Sequence, residues 1–328
     1  MFYGKSREND YPTLPLPGTA AASVLLLILS VAGVQLGWFS LLMTVAAGTA
    51  AAGILLLHRT PLSLTVPPVC AAAAALSAPD LMAAIPALLI LPLGFCAALA
   101  VFSGWSRIRT VTVTAAATGA VGATAMTAVL AIRRLTPAAC LKSLKADAAA
   151  YLTSFTAVTE TGTETAILTE ESAAVLVSYG TLLSPAILVC GLFLMAYLTT
   201  GLLRRMLDLL GAGADFLPDG WRMIPGRASA AIYAAAQIVT YLCAVTPGGE
   251  ALYYAFYNVS LIFLLPLSIL GLTTLFRQFR TSEALGTTGR LALLFLALMI
   301  ACAGLYWILT FAAYYGVYIV FRHGKSRL

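Results

Sequence analysis

Two amides and a group of tyrosines have the most capacity for chemistry inside the apolar runs of this sequence. Gln237 lies in RASAAIYAAAQIVTYLCAV with Tyr233 and Tyr241 four residues to either side, so the three share one face of a helix. Asn258 lies in ALYYAFYNVSLIF, where Glu250, Tyr254 and Asn258 repeat at the same spacing. Pro247-Gly248-Gly249 between the two runs is turn chemistry and predicts two helices folded back on each other. Gln237 lies ten residues before that turn and Asn258 nine after it. At 1.5 Å per residue these distances are about 15 Å and about 14 Å, so the amides are expected at one depth, facing a common cavity lined by Tyr233, Tyr254 and Tyr257. Tyr314, in a last stretch with Trp307, Thr310 and Tyr318 at helical spacing, joins the candidate set. Neutral donors and acceptors set among aromatic rings suit a small neutral or weakly charged ligand. The same amides could instead bond across helices as structural glue, and the tyrosines could form an aromatic belt.

Such residues need apolar elements around them, and the composition supplies little else. Hydrophobic residues make up 61% of the 328 and charged residues 10%, well below the roughly 25% charged residues of soluble domains. The chain reads as an integral membrane protein in contact with the lipid bilayer. Its net charge of +6 sits in short loops between apolar runs, which reports membrane orientation and argues against nucleic acid as a partner. The six cysteines are scattered singly and read as small packing residues.

Several kinds of chemistry are missing. All 13 carboxylates fall in loops or at span ends, which disfavours a transporter that carries its own coupling proton. His58 and His323 each adjoin an arginine at a span end and have no companion at metal-ligand spacing. No nucleophile elbow, zinc-protease motif or phosphate-binding glycine loop is present. No catalytic residue, metal or cofactor is expected, and the chain is not read as an enzyme.

The predicted fold is all-α, a polytopic transmembrane helical bundle of eight to nine spans with one interfacial amphipathic helix between spans five and six. Residues 1–17 form a polar, proline-rich lead, 18–321 a single transmembrane domain with an extramembrane segment at 133–179, and 322–328 a basic tail. The first apolar run continues into a second without a clear cleavage site, so it is expected to be retained. The roughly 40 residues from Gly18 to Leu57 are too long for one crossing and should break around Gly33–Gly37. A third span is expected to be interrupted at Pro67-Pro68. Asp80 should mark the turn into a fourth, kinked at Pro86 and Pro92. The fifth, Thr110–Ile132, carries a small-residue face of Ala115, Gly119, Ala123 and Thr127. Thr136-Pro137 is a helix start that puts Leu141, Leu144, Ala148, Leu152 and Phe155 on one side. Thr169 should cap a helix running past Pro185 to Arg204-Arg205, and Trp221 should anchor the following loop. Leu291–Phe321 is long for one crossing and should break or tilt near Ala303-Gly304. Most Lys and Arg then fall on the side of the N-terminus, which is therefore expected to be cytoplasmic.

Several of these features together resemble the YybS-like family of uncharacterised bacterial integral membrane proteins. They are Arg59 closing span two, Leu93-Gly94 ahead of Ser106-Arg107-Ile108-Arg109, Pro185 entering span six, and Arg204-Arg205 followed by Phe216-Leu-Pro-Asp-Gly-Trp221-Arg-Met-Ile-Pro225. Gly271 and the closing Gly316-Val-Tyr-Ile-Val-Phe-Arg322 complete them. Tyr318 stands in the region where the family pattern implies an acidic residue, so no role of that acid carries over. The resemblance implies a fold similar to the substrate-binding S components of energy-coupling-factor transporters and the plasma membrane of a bacterial cell. The matching function is a substrate-capture subunit that leaves energy to an ATPase module. The other reading is a non-transporting scaffold or regulator that docks other membrane proteins through faces such as Gly33-x-x-x-Gly37.

Overall fold

The structure is a computed structural model and describes residues 16–36, 39–57, 61–153, 156–158, 164–166, 169–210, 225–281 and 305–323. The first long apolar run is divided as its length requires, into α1 (Leu16–Gln35) and α2 (Ser40–Leu57). Gln35 Nε2 reaches across to donate to the Ser77 carbonyl at 2.6 Å. Helix α3 (Pro61–Leu76) runs continuously through Pro67 and Pro68, where an interruption was expected. Prolines there remove two ladder donors, yet the rest of the helix still closes its own bonds. Asp80 does mark the next turn, its Oδ1 accepting from Ala83 N–H at 2.7 Å. Helix α4 (Ile85–Phe102) has Pro86 at its start, where a missing N–H costs nothing, and Pro92 inside.

Helix α5 (Arg107–Ile132) begins three residues before the predicted start and leads into α6 (Pro137–Thr153). Thr136 caps α6 as expected, its Oγ1 accepting from Ala139 N–H at 3.2 Å. Two three-residue strands, β1 (Thr156–Val158) and β2 (Glu164–Ala166), pair antiparallel beyond it. Helix α7 (Glu170–Leu209) has the predicted Thr169 cap, whose Oγ1 accepts from Ser172 N–H at 3.3 Å. Its 40 residues correspond to about 60 Å, twice a hydrocarbon core, so it extends beyond one crossing and past Arg204-Arg205.

Helices α8 (Arg227–Val245) and α9 (Glu250–Thr281) are the pair predicted around the glycine turn, although α9 continues well beyond Phe263. Gly248 sits at φ 79°, a left-handed conformation that a side chain would strain. The last helix is α10 (Leu305–His323). The expected break at Ala303-Gly304 and the Trp221 anchor lie outside the described residues.

Among the described residues six helices are long and apolar enough to cross a membrane: α2, α4, α5, α7, α8 and α9 up to Leu275. Ala20–Gln35 of α1 and Ser63–Leu76 of α3 are apolar but shorter. The chain forms two units, Met1–Gly180 with Gly191–Arg222, and Thr181–Cys190 with Met223–Leu328.

In the first unit α2 and α4 approach closely at glycines. A Cβ on Gly48 would lie 2.7 Å from Leu93 Cβ, and one on Gly94 2.7 Å from Ala51 Cβ. Leu55, Leu56, Ala97, Val101, Leu203 and Leu207 form its largest apolar core. The small-residue face expected on α5 is partly used, since Gly119 lies against Leu192 of α7. The fully buried side chains of α5 include Thr110, Thr114 and Thr118, one residue round from that face. For Thr110 and Thr118 burial is tolerable because the helix's own carbonyls take the hydroxyl. Thr110 donates to Ser106 C=O at 3.0 Å and Thr118 to Thr114 C=O at 2.7 Å.

Candidate functional site

In the second unit α8, α9 and α10 bury Ala230, Tyr233, Leu264, Leu267, Ala313 and Ile319 against one another. Tyr233 is the largest fully buried side chain among the described residues. A tyrosine so placed must find a partner for its hydroxyl, and it accepts from Gln237 Nε2 at 3.4 Å, one turn along α8. The Tyr314 ring of α10 meets Tyr233 edge-on, with centroids 5.9 Å apart and planes at 62°. Three of the candidate residues, Tyr233, Gln237 and Tyr314, are thus brought together from two helices.

A second aromatic group lies on α9. Tyr257 stacks on Tyr253 at 5.7 Å, and Tyr254 meets the same Tyr253 edge-on at 5.2 Å. Tyr257 shares a hydrogen bond with Tyr306 of α10, their centroids 6.4 Å apart. Spacing alone does not single out Tyr253 and Tyr306. They lie on faces that a four-residue repeat counted from Asn258 or Trp307 does not reach. Tyr241 stands apart, 71% exposed near the end of α8.

Asn258 is engaged elsewhere. Pro185 removes a donor from α7, and its ring crowds the carbonyl four residues back, that of Thr181. The neighbouring Ser184 hydroxyl donates to this Thr181 carbonyl at 2.8 Å. One position further on, Asn258 from α9 meets both ends of the next helical pair. Its Oδ1 accepts from Ala186 N–H at 3.2 Å, and its Nδ2 donates to Leu182 C=O at 2.9 Å. The second Nδ2 proton goes to the Tyr254 carbonyl on its own helix, also at 2.9 Å. Cys190 Sγ, further along the same segment, donates to Leu261 C=O at 3.4 Å. The amides of Gln237 and Asn258 therefore engage different partners, the first a tyrosine of the aromatic cluster and the second the backbone of α7.

The first unit holds a polar group that spacing does not single out. Arg107, at the start of α5, lays its guanidinium over the Tyr197 ring at 4.6 Å. It lies beside Gly201, where a Cβ would come within 3.5 Å of Nη2, and within the field of Arg204. Arg204 pairs with Asp208 at 3.8 Å. The hydroxyls of Thr114 and Thr199, buried on α5 and α7, have no hydrogen-bond partner among the described residues. The sequence signal is present in Arg107 itself, which reads as an ordinary loop cation until a neighbouring helix is known to cover it.

No curated protein matches the chain, and no solved structure does. The family described as predicted membrane protein (DUF2232) matches residues 24–313, which takes in the apolar helices of both units. The chain therefore belongs to the DUF2232 family of predicted membrane proteins.

Proposed function

We propose that this protein is a substrate-capture membrane subunit that binds a small neutral or weakly charged molecule at the aromatic cluster of α8, α9 and α10. The observation that carries the reading is that Tyr233, Gln237 and Tyr314 meet where α8 and α10 join an apolar three-helix core, with a second hydroxyl pair, Tyr257 and Tyr306, between α9 and α10. Rings provide contact area at low entropic cost, and the polar tips provide orientation. Gln237 and Tyr257 would orient the ligand and Tyr233, Tyr254 and Tyr314 would wall it, while Asn258 holds the segment of α7 alongside. The YybS-like resemblance, and through it the S components of energy-coupling-factor transporters, supports a division of labour in which an ATPase module supplies the energy. Mass spectrometry of the gently purified protein should detect a retained small molecule, and Gln237→Leu with Tyr257→Phe should lose it while the variant still elutes as a folded species. A parent protein that retains nothing overturns the reading.

A scaffold function has one observation in its favour. Trp307, Phe311, Tyr314, Tyr318 and Phe321 form a single exposed stripe along α10, opposite the side that packs on α9. Native co-purification of a membrane protein other than an ATPase module, lost on Phe311→Ala with Tyr318→Ala, would favour it.

In this reading the chain crosses the bacterial plasma membrane eight or nine times with its N-terminus in the cytoplasm, and α6 lies along the outer interface between the fifth and sixth crossings. In a cysteine-free background Ala146→Cys should react with a membrane-impermeant maleimide in intact cells. Reaction only after lysis would reverse the orientation.

A further inference from the structure

Helix α6 has no buried residue, although it follows α5, an apolar helix of spanning length, after four intervening residues. Leu141 and Leu144 remain 43% and 63% exposed on the side they share with Ala148 and Leu152, and Tyr151 is 45% exposed at its edge. A 17-residue helix that fully buries none of its residues is marginal in water, so its apolar side calls for a further cover.

The turn into α6 places cations beside that helix. Arg134 N–H donates to Ala131 C=O at 3.1 Å and Leu135 N–H to Leu130 C=O at 2.9 Å, with Arg134 in the left-handed region at φ 53°. This is the Schellman ending, whose left-handed position is ordinarily glycine because a side chain there is strained. The equivalent turn after α4 does use glycine, Gly104 at φ 63°. An arginine kept at a strained position is a cation retained against a local cost, which points to a use for the charge. Arg133, Arg134, Lys142 and Lys145 all lie in the turn or on α6, against one carboxylate, Asp147, which accepts from Ser143 Oγ at 3.4 Å. The ion pair among the described residues, Arg204 with Asp208, involves none of them.

We infer that α6 and its entry turn form a docking surface for anionic phospholipid headgroups. The apolar side sinks into the boundary of the acyl chains, and Arg133, Arg134, Lys142 and Lys145 meet the phosphates. This deepens the interfacial position proposed above for α6 and rests on it. It is independent of the aromatic cluster. Lysine suits the edge of such a helix because its stem lies along the apolar boundary while the ammonium reaches the headgroups. The cluster also lies on the side that the positive-inside bias leaves poor in cations, so orientation alone does not account for it.

The test uses the full-length cysteine-free protein, spin-labelled at Leu144→Cys on the apolar side or Ala146→Cys on the opposite side. It is reconstituted in nanodiscs of phosphatidylglycerol or of phosphatidylcholine. In phosphatidylglycerol the ratio of oxygen to nickel-chelate collision should be several-fold higher at 144 than at 146. The contrast should shrink in phosphatidylcholine, and also in phosphatidylglycerol when Lys142→Gln and Lys145→Gln are combined. Equal aqueous exposure of both labels in phosphatidylglycerol would remove the interfacial position and the proposal with it. Shielding of 144 from both reagents would mean a protein covers the helix, which also overturns it. The same contrast in both lipids would leave α6 on the membrane but refute recognition of anionic headgroups. Comparing the two lipids requires no charge variant, so a folding defect in the Lys142/Lys145 variant leaves the test decisive.

Discussion

Asn258→Leu should destabilise the second unit by about 3 kcal/mol, because it removes three hydrogen bonds, with Ala186 N–H, Leu182 C=O and Tyr254 C=O, each contributing about 1 kcal/mol. Leucine shares the branched outline of asparagine and suits a membrane span but is bulkier, so the single loss combines hydrogen bonding with volume. The informative experiment is a double-mutant cycle with Pro185→Ala. An alanine at 185 restores an N–H that can bond the Thr181 carbonyl and removes the ring that crowds it. Pro185→Ala should therefore recover a large part of the stability lost in Asn258→Leu, giving a coupling energy well above the roughly 0.5 kcal/mol expected of independent sites. Unfolding in detergent, followed by circular dichroism, provides the four stabilities. Additive effects would mean that Asn258 and the proline are unrelated, and an unchanged Asn258→Leu stability would release the amide for a purely ligand-binding role.

The backbone approach of α9 to α10 in the second unit makes the next largest prediction. A Cβ on Gly271 of α9 would overlap the Ala312 carbonyl oxygen of α10 and lie 2.7 Å from its carbonyl carbon. The reciprocal substitution on Gly316 of α10 would overlap the Leu267 carbonyl oxygen of α9 and lie 3.0 Å from its carbon. The two contacts are one helical turn apart on each helix, with the sequence running in opposite directions. They describe a single antiparallel crossing in which backbone meets backbone. The overlap is with main chain, so no rotamer change relieves it and the helices must separate. Gly271→Ala and Gly316→Ala should each cost about 2–3 kcal/mol. Together they should cost less than the sum, since one separation makes room for both methyls. A methyl added at Gly180 or Gly191 of α7 would instead meet open space. Alanine at either should be neutral or stabilise by up to about 1 kcal/mol through helix propensity. Thermal unfolding of the four single variants and the Gly271/Gly316 double tests this. A neutral Gly271→Ala would refute the crossing.

Both predictions depend on contacts that no periodicity announces, whereas much of the helical framework follows from local rules. Thr136 and Thr169 are legible as caps because capping is decided within four residues, by a hydroxyl oxygen and an N–H of the first turn. The break between α1 and α2 follows from run length against bilayer thickness, and the Pro247–Gly249 reversal follows from the conformations those residues allow. Local reasoning fails at Pro67-Pro68, because a proline's effect on a helix depends on how much of the ladder survives around it. The extent of α9 beyond Phe263 escapes it for a related reason. An apolar run with Pro266 inside it does not state where its helix ends.

For the site, the sequence supplies the residue types and a shared helical face for Tyr233 and Gln237, and the structure keeps those two within hydrogen-bonding distance. It does not say where the faces point. In a soluble helix the apolar stripe marks the inside, but a span in lipid is apolar all round, so its periodicity carries no such direction. Tyr241 shares the face of Gln237 by count yet is exposed, while Asn258, expected beside Gln237, turns to a backbone 72 residues away in sequence. Composition and local spacing thus determined that the chain is a set of membrane-spanning helices, and where most of them begin. Which tyrosines meet, what Asn258 holds and where two helices touch through glycine were decided by the tertiary structure, because helix-to-helix packing selects among faces that the apolar sequence leaves equivalent.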